Sequence, residues 1–286
     1  MPGRAAKPGT EREGTQSIER ALRVLRILAS TNYASGVSFQ DLQDASGLNR
    51  STLYRIIGAL RAEGFVERHP ASGMFFLGMD FLALGSASIN RFNLRELARP
   101  HLVRIAEQTE DTVFLSIRSG ADSICVDRQE GTFPIKALTL NIGDRRPLGI
   151  GAGALALLAF MPCAEMEDMV ARNARRFPAN PAMIAESVLA LVRRSREEGY
   201  AFNDGQVLKS MCAVGVPVRG LQHRQPLAAL SIAAISERMR APRRARLVAI
   251  LEEEALALGA ALVARGAQPL GGGERAEIPP LPDVNS

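Results

Sequence analysis

The sequence predicts an α+β protein of two units, a winged helix-turn-helix followed by a mixed domain of helices and strands. Three observations carry that expectation. Between Val37 and Gly78 a capped helix, a glycine turn, a second helix and an alternating hairpin succeed one another within about forty residues. Strand-like runs at residues 112–128 and 213–235 flank a block of helical periodicity. A chain of 286 residues that is 47% hydrophobic suits two cores.

Residues 1–15 are rich in Gly, Pro, Thr and charge and read as a disordered tail. From Ser17, its expected cap, a first helix runs to Leu28 with Ile18, Ala21, Leu22, Leu25 and Leu28 at helical spacing. Ser38 followed by Asp41 resembles a capping box and starts a short helix with Phe39, Leu42 and Ala45 as its apolar positions. Gly47 stops it. Asn49 or a polar neighbour caps the next helix, whose inner stripe is Leu53, Ile56, Ile57 and Leu60. Its outer face carries Arg50, Ser51, Thr52, Tyr54 and Arg55, side chains suited to base edges and phosphates in a major groove. With Gln40 on the preceding helix and Arg68 on the wing, these are the candidate DNA-binding residues. The wing alternates over Phe65–His69, turns at Pro70-Ala71-Ser72-Gly73 and returns through Met74–Gly78. This completes a DNA-binding unit over residues 16–78.

A linker helix over residues 79–93 exposes Phe81, Leu82 and Leu84, more apolar surface than a solitary helix shows, which points to pairing with a second copy. The second domain, residues 94–265, opens with an amphipathic helix on Leu94, Leu97, Ala98, Leu102 and Ile105. Strands are expected at Thr112–Arg118, Ser123–Arg128 and Phe133–Leu140, then helices near 151–160, 164–177 and 182–198. Strands near Ala213–Val218 and Leu227–Ile235 and a last helix from Pro242 to Arg265 complete it. Residues 266–286, with Gly271-Gly272-Gly273 and Pro279-Pro280, form a second disordered tail.

The net charge of +5 permits an acidic partner without demanding one. Cys125, Cys163 and Cys212 are dispersed and odd in number, and His69, His101 and His223 are equally scattered. No metal motif, nucleophile–base pair or cofactor signature that survives scrutiny emerges, so neither an enzyme nor a metalloprotein is expected. The absence of an apolar span of about 18 residues argues against a membrane and for a cytoplasmic protein.

Several motifs together resemble the IclR family of bacterial transcriptional regulators. They are Ser17-Ile18-Glu19-Arg20-Ala21-Leu22, the Ser-Gly-Leu-x-Arg-Ser-Thr-x-Tyr-Arg core of Ser46–Arg55, Leu77-Gly78, Gly143-Asp144-Arg145-Arg146-Pro147-Leu148, Gly199-Tyr200-Ala201, Val216-Pro217-Val218 and Ala229-Leu230-Ser231-Ile232. The resemblance covers all but the tails. It implies a GAF-like C-terminal domain that binds a small effector, an organic acid or aromatic compound, and a homodimer or homotetramer on double-stranded operator DNA. Carried over residue by residue, it implies an effector site of Gly149, Gly151, Ala152, Gly153, Asn203, Ala213, Ser231 and Ala233. The chain departs from the pattern at Leu155, where the family has lysine, and at Asn203 and Ala213, where one branch has a carboxylate and a thiol; Asp204 and Cys212 stand beside them. These departures predict a more apolar pocket.

Two other readings compete. The second domain serves only dimerisation, in which case no small molecule alters DNA affinity. Alternatively, Gly149–Ala154, which fits Gly-x-Gly-x-x-Gly/Ala with Asp168 downstream, holds a dinucleotide in an enzyme, although no strand–helix–strand unit surrounds it. Arg145 and Arg146 stand beside that loop, as attractors of an anionic effector or as a solvated edge.

Overall fold

The computed structural model describes residues 15–29, 35–89, 94–177, 184–220 and 225–267. Contacts divide the chain into two units, Met1–Arg91 and Phe92–Ser286. The expected tails, apart from Thr15, Gly266 and Ala267, fall outside the described residues, as do His223, the linker beyond Ile89 and the Leu82 side chain.

In the first unit, α1 (Gln16–Leu28), α2 (Phe39–Ser46) and α3 (Arg50–Ala62) precede a hairpin of β1 (Val66–Arg68) and β2 (Phe75–Leu77) and then α4 (Asp80–Ile89). The α1 start differs from the expected Ser17 cap, because Thr15 holds the N-cap position and Ser17 lies inside the helix. The caps of the next two helices match expectation. Ser38 Oγ accepts from the Asp41 amide at 3.1 Å and donates to the Asp41 carboxylate at 2.7 Å. Gly47 closes α2 in the left-handed region at φ 66°, and Asn49 Oδ1 accepts from the Thr52 amide at 2.9 Å. Buried Val24, Leu28, Val37, Leu42, Leu53, Ile57, Val66 and Phe75 form one core. Ala45 is exposed, and Ser46 takes the buried place instead, its carbonyl receiving Arg23 at 3.2 Å. Phe81 is half-buried against Phe65, ring centroids 5.2 Å apart, so it serves this unit's own packing; Leu84 and Met79 remain exposed.

The second unit runs α5 (Leu94–Thr109), β3 (Thr112–Ser119), β4 (Asp122–Gln129), β5 (Arg145–Pro147), α6 (Ala152–Ala159), α7 (Cys163–Asn173), α8 (Ala185–Glu198), β6 (Ala201–Leu208), β7 (Met211–Val218), β8 (Ala228–Ile235), a 3-10 turn (Ser236–Met239) and α9 (Ala241–Ala264). Six strands form one sheet in the order β5-β4-β3-β8-β7-β6, every neighbouring pair antiparallel. The alternation along β8 builds two layers. Leu230, Ile232 and Ala234 pack with α5 and α9, whereas Ala229 packs with α6, α7 and α8. The expected strand Phe133–Leu140 is irregular chain instead. Pro134 removes a ladder donor near its start, and the edge beside β4 is taken by Arg145–Pro147. Strand β6 was not anticipated, because Gly205 and the charged or polar Asn203, Asp204 and Gln206 dilute its apolar pattern.

Candidate functional site

Two concave regions gather the sequence-predicted residues, one in each unit. In the first, Gln40 of α2, Arg50, Tyr54 and Arg61 of α3, and Arg68 of the wing line one groove with Phe39 and Phe75, a space of about 350 Å³. Three guanidinium groups and no carboxylate line it, so the groove is electropositive by composition. Arg50 lies over the Phe39 ring at 5.5 Å from its centroid, and Tyr54 packs against the same ring at 5.4 Å. Arg68 Nε donates to the Gly73 carbonyl at 3.2 Å and its guanidinium covers Phe75, which fixes the wing's cation towards α3.

The remaining predicted residues sit elsewhere on α3. Ser51 is exposed and its hydroxyl donates to Asn49 Oδ1 at 3.0 Å. Thr52 and Arg55 line a second groove, against Ser17, Ile18, Arg20 and Ala21 of α1. The helix therefore borders two grooves, the second of them mostly apolar, with Ile18, Ile56, Leu60 and Phe65 and the carboxylate of Glu63 in its lining. Gly58 belongs to the walls of both grooves and is exposed. Sequence reasoning missed both Gly58 and Arg61. Arg61, about two turns beyond Tyr54 and three beyond Arg50 on the same face, is within reach of a periodicity argument.

In the second unit a cavity lies between the sheet, the start of α6 and residues 139–140. Gly151, Ala152, Gly153, Asn203, Ala213, Ser231 and Ala233 all line it, drawn from α6 and from β6, β7 and β8. Asn203 and Ala213 are register partners on neighbouring strands, as are Ala213 and Ala233. Gly149 does not line the cavity. Its left-handed backbone turns it the other way, so that a Cβ there would lie 2.8 Å from Val188, and its amide donates to the Ala154 carbonyl at 3.4 Å.

Despite these small residues the void is only about 40 Å³, space for a water molecule or so. Small residues here permit close packing. A Cβ on Gly153 would sit 3.2 Å from both Ser116 Oγ and Ser231 Oγ, so glycine lets the first turn of α6 settle on the sheet. Gly151 precedes that turn at φ 84°, a conformation that favours glycine.

The lining's polar groups are distinctive. Ser116, Asn203 and Ser231 are 3%, 5% and 6% exposed, yet among the described residues their side chains have no hydrogen-bond partner in the protein. Arg146 supplies the lining's one charge. Its Nη2 donates to the Thr139 carbonyl, and burial lowers its pKa while nearby Asp144 opposes that. Arg145 points to the other side and pairs with Asp122 at 3.3 Å, as a structural edge residue. Phe114, Leu140, Met211, Ala213 and Ala233 add apolar surface to the lining. Cys212 also lines the cavity, its thiol within 3.3 Å of Asp204 Oδ1 and its pKa raised by burial.

A family model described as the bacterial transcriptional regulator IclR C-terminal matches residues 86–260, and one described as the IclR helix-turn-helix domain matches residues 17–70. The chain belongs to the IclR family. Similar IclR-type proteins include the HTH-type transcriptional regulator XynR of Escherichia coli, 27% identical over 249 residues that cover 86% of this chain and 97% of XynR. Among solved folds, an IclR regulator from Alicyclobacillus acidocaldarius superposes with a TM-score of 0.71 at 24% identity, covering 86% of this chain and 98% of that one. An IclR homologue from Microbacterium hydrocarbonoxydans, solved with 4-hydroxybenzoate, gives 0.70 at 22% identity, covering 87% and 99%.

Membership accounts for the two-unit architecture and makes the protein a transcriptional regulator of this family. The dinucleotide reading has no structural support, since the sheet is antiparallel throughout and Asp168 sits on α7 in an ion pair with Arg172 at 2.8 Å. Among the described residues no cluster of three or more metal-binding side chains occurs, and no helix is long and apolar enough to cross a membrane.

Proposed function

We propose that this IclR-family chain binds operator DNA in the cytoplasm through the α3 and wing groove, as a homodimer or homotetramer, and that a small effector in the second unit's cavity changes that affinity. The observation that carries the DNA half is the convergence of Arg50, Arg61 and Arg68 with Gln40 and Tyr54 on one carboxylate-free groove. Arg50 and Tyr54 near the start of α3 address bases, and Arg68 addresses phosphate. Thr52 and Arg55, on the other flank, contact the backbone across the groove. Exposed Leu84 and Met79 on or next to α4 add a surface for a second copy, which would impose a two-fold operator.

The effector half rests on three buried polar side chains without protein partners around one cavity. An IclR homologue's complex with 4-hydroxybenzoate supports an acidic or aromatic effector. Because a void of about 40 Å³ is too small for an aromatic acid, the effector must bind a more open form. It thereby shifts an equilibrium between two forms of the second unit.

The test is operator binding by the full-length protein, on duplexes selected by that protein from a random pool. Arg50→Ala weakens the selected site by about 1–3 kcal/mol and relaxes preference at one base. Arg68→Ala weakens all sequences alike and lowers the salt dependence by about one counterion. Wild-type affinity in both variants at matched salt sinks the groove assignment. A second unit that served only for assembly would leave affinity unchanged with every small molecule tried.

A further inference from the structure

We infer that Arg146 is the specificity-determining residue of the cavity and that the effector is a monoanion, a carboxylate on an apolar body. The inference rests on the effector reading above and deepens it. Among the described residues Arg146 is the sole charged side chain lining the cavity, with no Asp or Glu beside it there. A built Cβ on Gly151 comes within 3.3 Å of Arg146 Nη1, so the guanidinium lies against the first turn of α6.

Ser116 Oγ and Ser231 Oγ converge on the same turn, at Gly153. One end of the cavity therefore offers a cation, two hydroxyl donors and the unpaired amides of a helix start, all of which favour negative charge. Phe114, Leu140, Met211, Ala213 and Ala233 make much of the remaining lining apolar. A planar acid with its carboxylate towards Arg146 and its body against these side chains suits that lining. A neutral analogue leaves the guanidinium and the hydroxyls facing an uncharged group. A dianion meets a second charge with no cation to receive it.

Asp144 faces Arg146 from outside the lining and is engaged with the Asn141 amide at 2.8 Å. Its charge favours the cationic form of Arg146 without lining the cavity. Desolvation lowers the Arg146 pKa, and an arginine stays charged at neutral pH regardless, so an incoming anion gains a partner already stripped of part of its water.

The experiment uses the full-length protein at pH 7.5 and a panel of aliphatic and aromatic monocarboxylates, benzoate, 4-hydroxybenzoate and phenylacetate among them, each beside its neutral amide. Binding is read by thermal shift and titration calorimetry. The expected binders are acids, with their amides weaker by about 10–100-fold. Arg146→Leu loses the acids by a similar factor, and Arg146→Lys recovers part of the affinity.

Amides that bind as well as acids, acids that bind Arg146→Leu at wild-type affinity, or a panel with no acid bound at about 10 mM each overturn the inference. The wild-type acid and amide comparison decides even if the Leu variant misfolds. Ala213→Leu, which fills the cavity from β7, separates the two failures. Amide binding that Ala213→Leu abolishes keeps the cavity and removes the anion; binding that it leaves intact removes the cavity as well.

Discussion

Gly58 stands in the interior of α3 on its exposed face, where glycine lowers helix stability and nothing within the unit calls for one. A Cβ built there meets no atom within 4 Å, and its φ lies outside the left-handed range. Gly58→Ala therefore introduces no clash and removes backbone freedom from the unfolded chain, raising the stability of α3 by about 0.5–1 kcal/mol. Hydrogen exchange of the α3 amides in the intact protein reads this as a slowing of about 2–5-fold. Gly58 belongs to both groove walls, and in the proposed binding mode its bare backbone lets a DNA strand approach closely. The added methyl should then weaken binding to the selected operator by about 1–3 kcal/mol, the range for one misfit in a specific interface. Fluorescence anisotropy at fixed salt measures that half. A variant with slower exchange and undiminished operator affinity refutes the close approach, and one with faster exchange refutes the helix argument itself.

Two further predictions concern the second unit. Glu254 of α9 accepts from Arg104 at 2.7 and 2.8 Å and lies 2.6 Å from His101 Nδ1 on α5, and the Arg104 hydrogen bond holds its carboxyl below the ordinary value. Its stabilising contribution is thus complete above the unfolded carboxylate pKa and fades as pH falls through that value towards the folded one. Urea denaturation should show Glu254→Gln less stable by about 1–3 kcal/mol at pH 7, with the gap closing in acid; a gap that widens in acid reverses the sign and the reasoning. Thiol labelling without denaturant should modify Cys163, which is exposed, and spare buried Cys125, whose pKa burial pushes up to about 12. Rapid modification that persists in Cys163→Ser contradicts this.

The first unit was legible because its signals are local. Ser38 and Asn49 each satisfy an amide three residues along, and Gly47 takes the one backbone conformation a tight helix turn needs, so sequence distance and spatial distance coincide. The failures there are equally physical. Ser17 has no second capping signal and lies inside α1, and Phe81, expected to meet a partner, packs on Phe65 within the unit. In the second unit Ser231 and Ala233, which the resemblance places in one site, both line the cavity from β8, while the sparse pattern of β6 conceals a strand and the apolar Ile135, Ala137, Leu138 and Leu140 make irregular chain look like one despite Pro134.

The cavity exposes what a motif cannot carry. Gly149 and Gly151 look equivalent in sequence, but one backbone turn between them sends Gly149 towards Val188 and brings Gly151 to the lining. Arg145 and Arg146 look equivalent as well, and strand alternation at the sheet edge gives one to Asp122 outside and the other to the cavity. Ser116 reaches the site by ordinary alternation along β3, two residues from Phe114 on the same face, since the extra residue of the irregular β3–β4 register is Val126 on β4. The residues that set ligand charge and those that set ligand room therefore come from different strands. Substituting Arg146 should change which compounds bind, whereas filling the cavity at Ala213 should change whether any do.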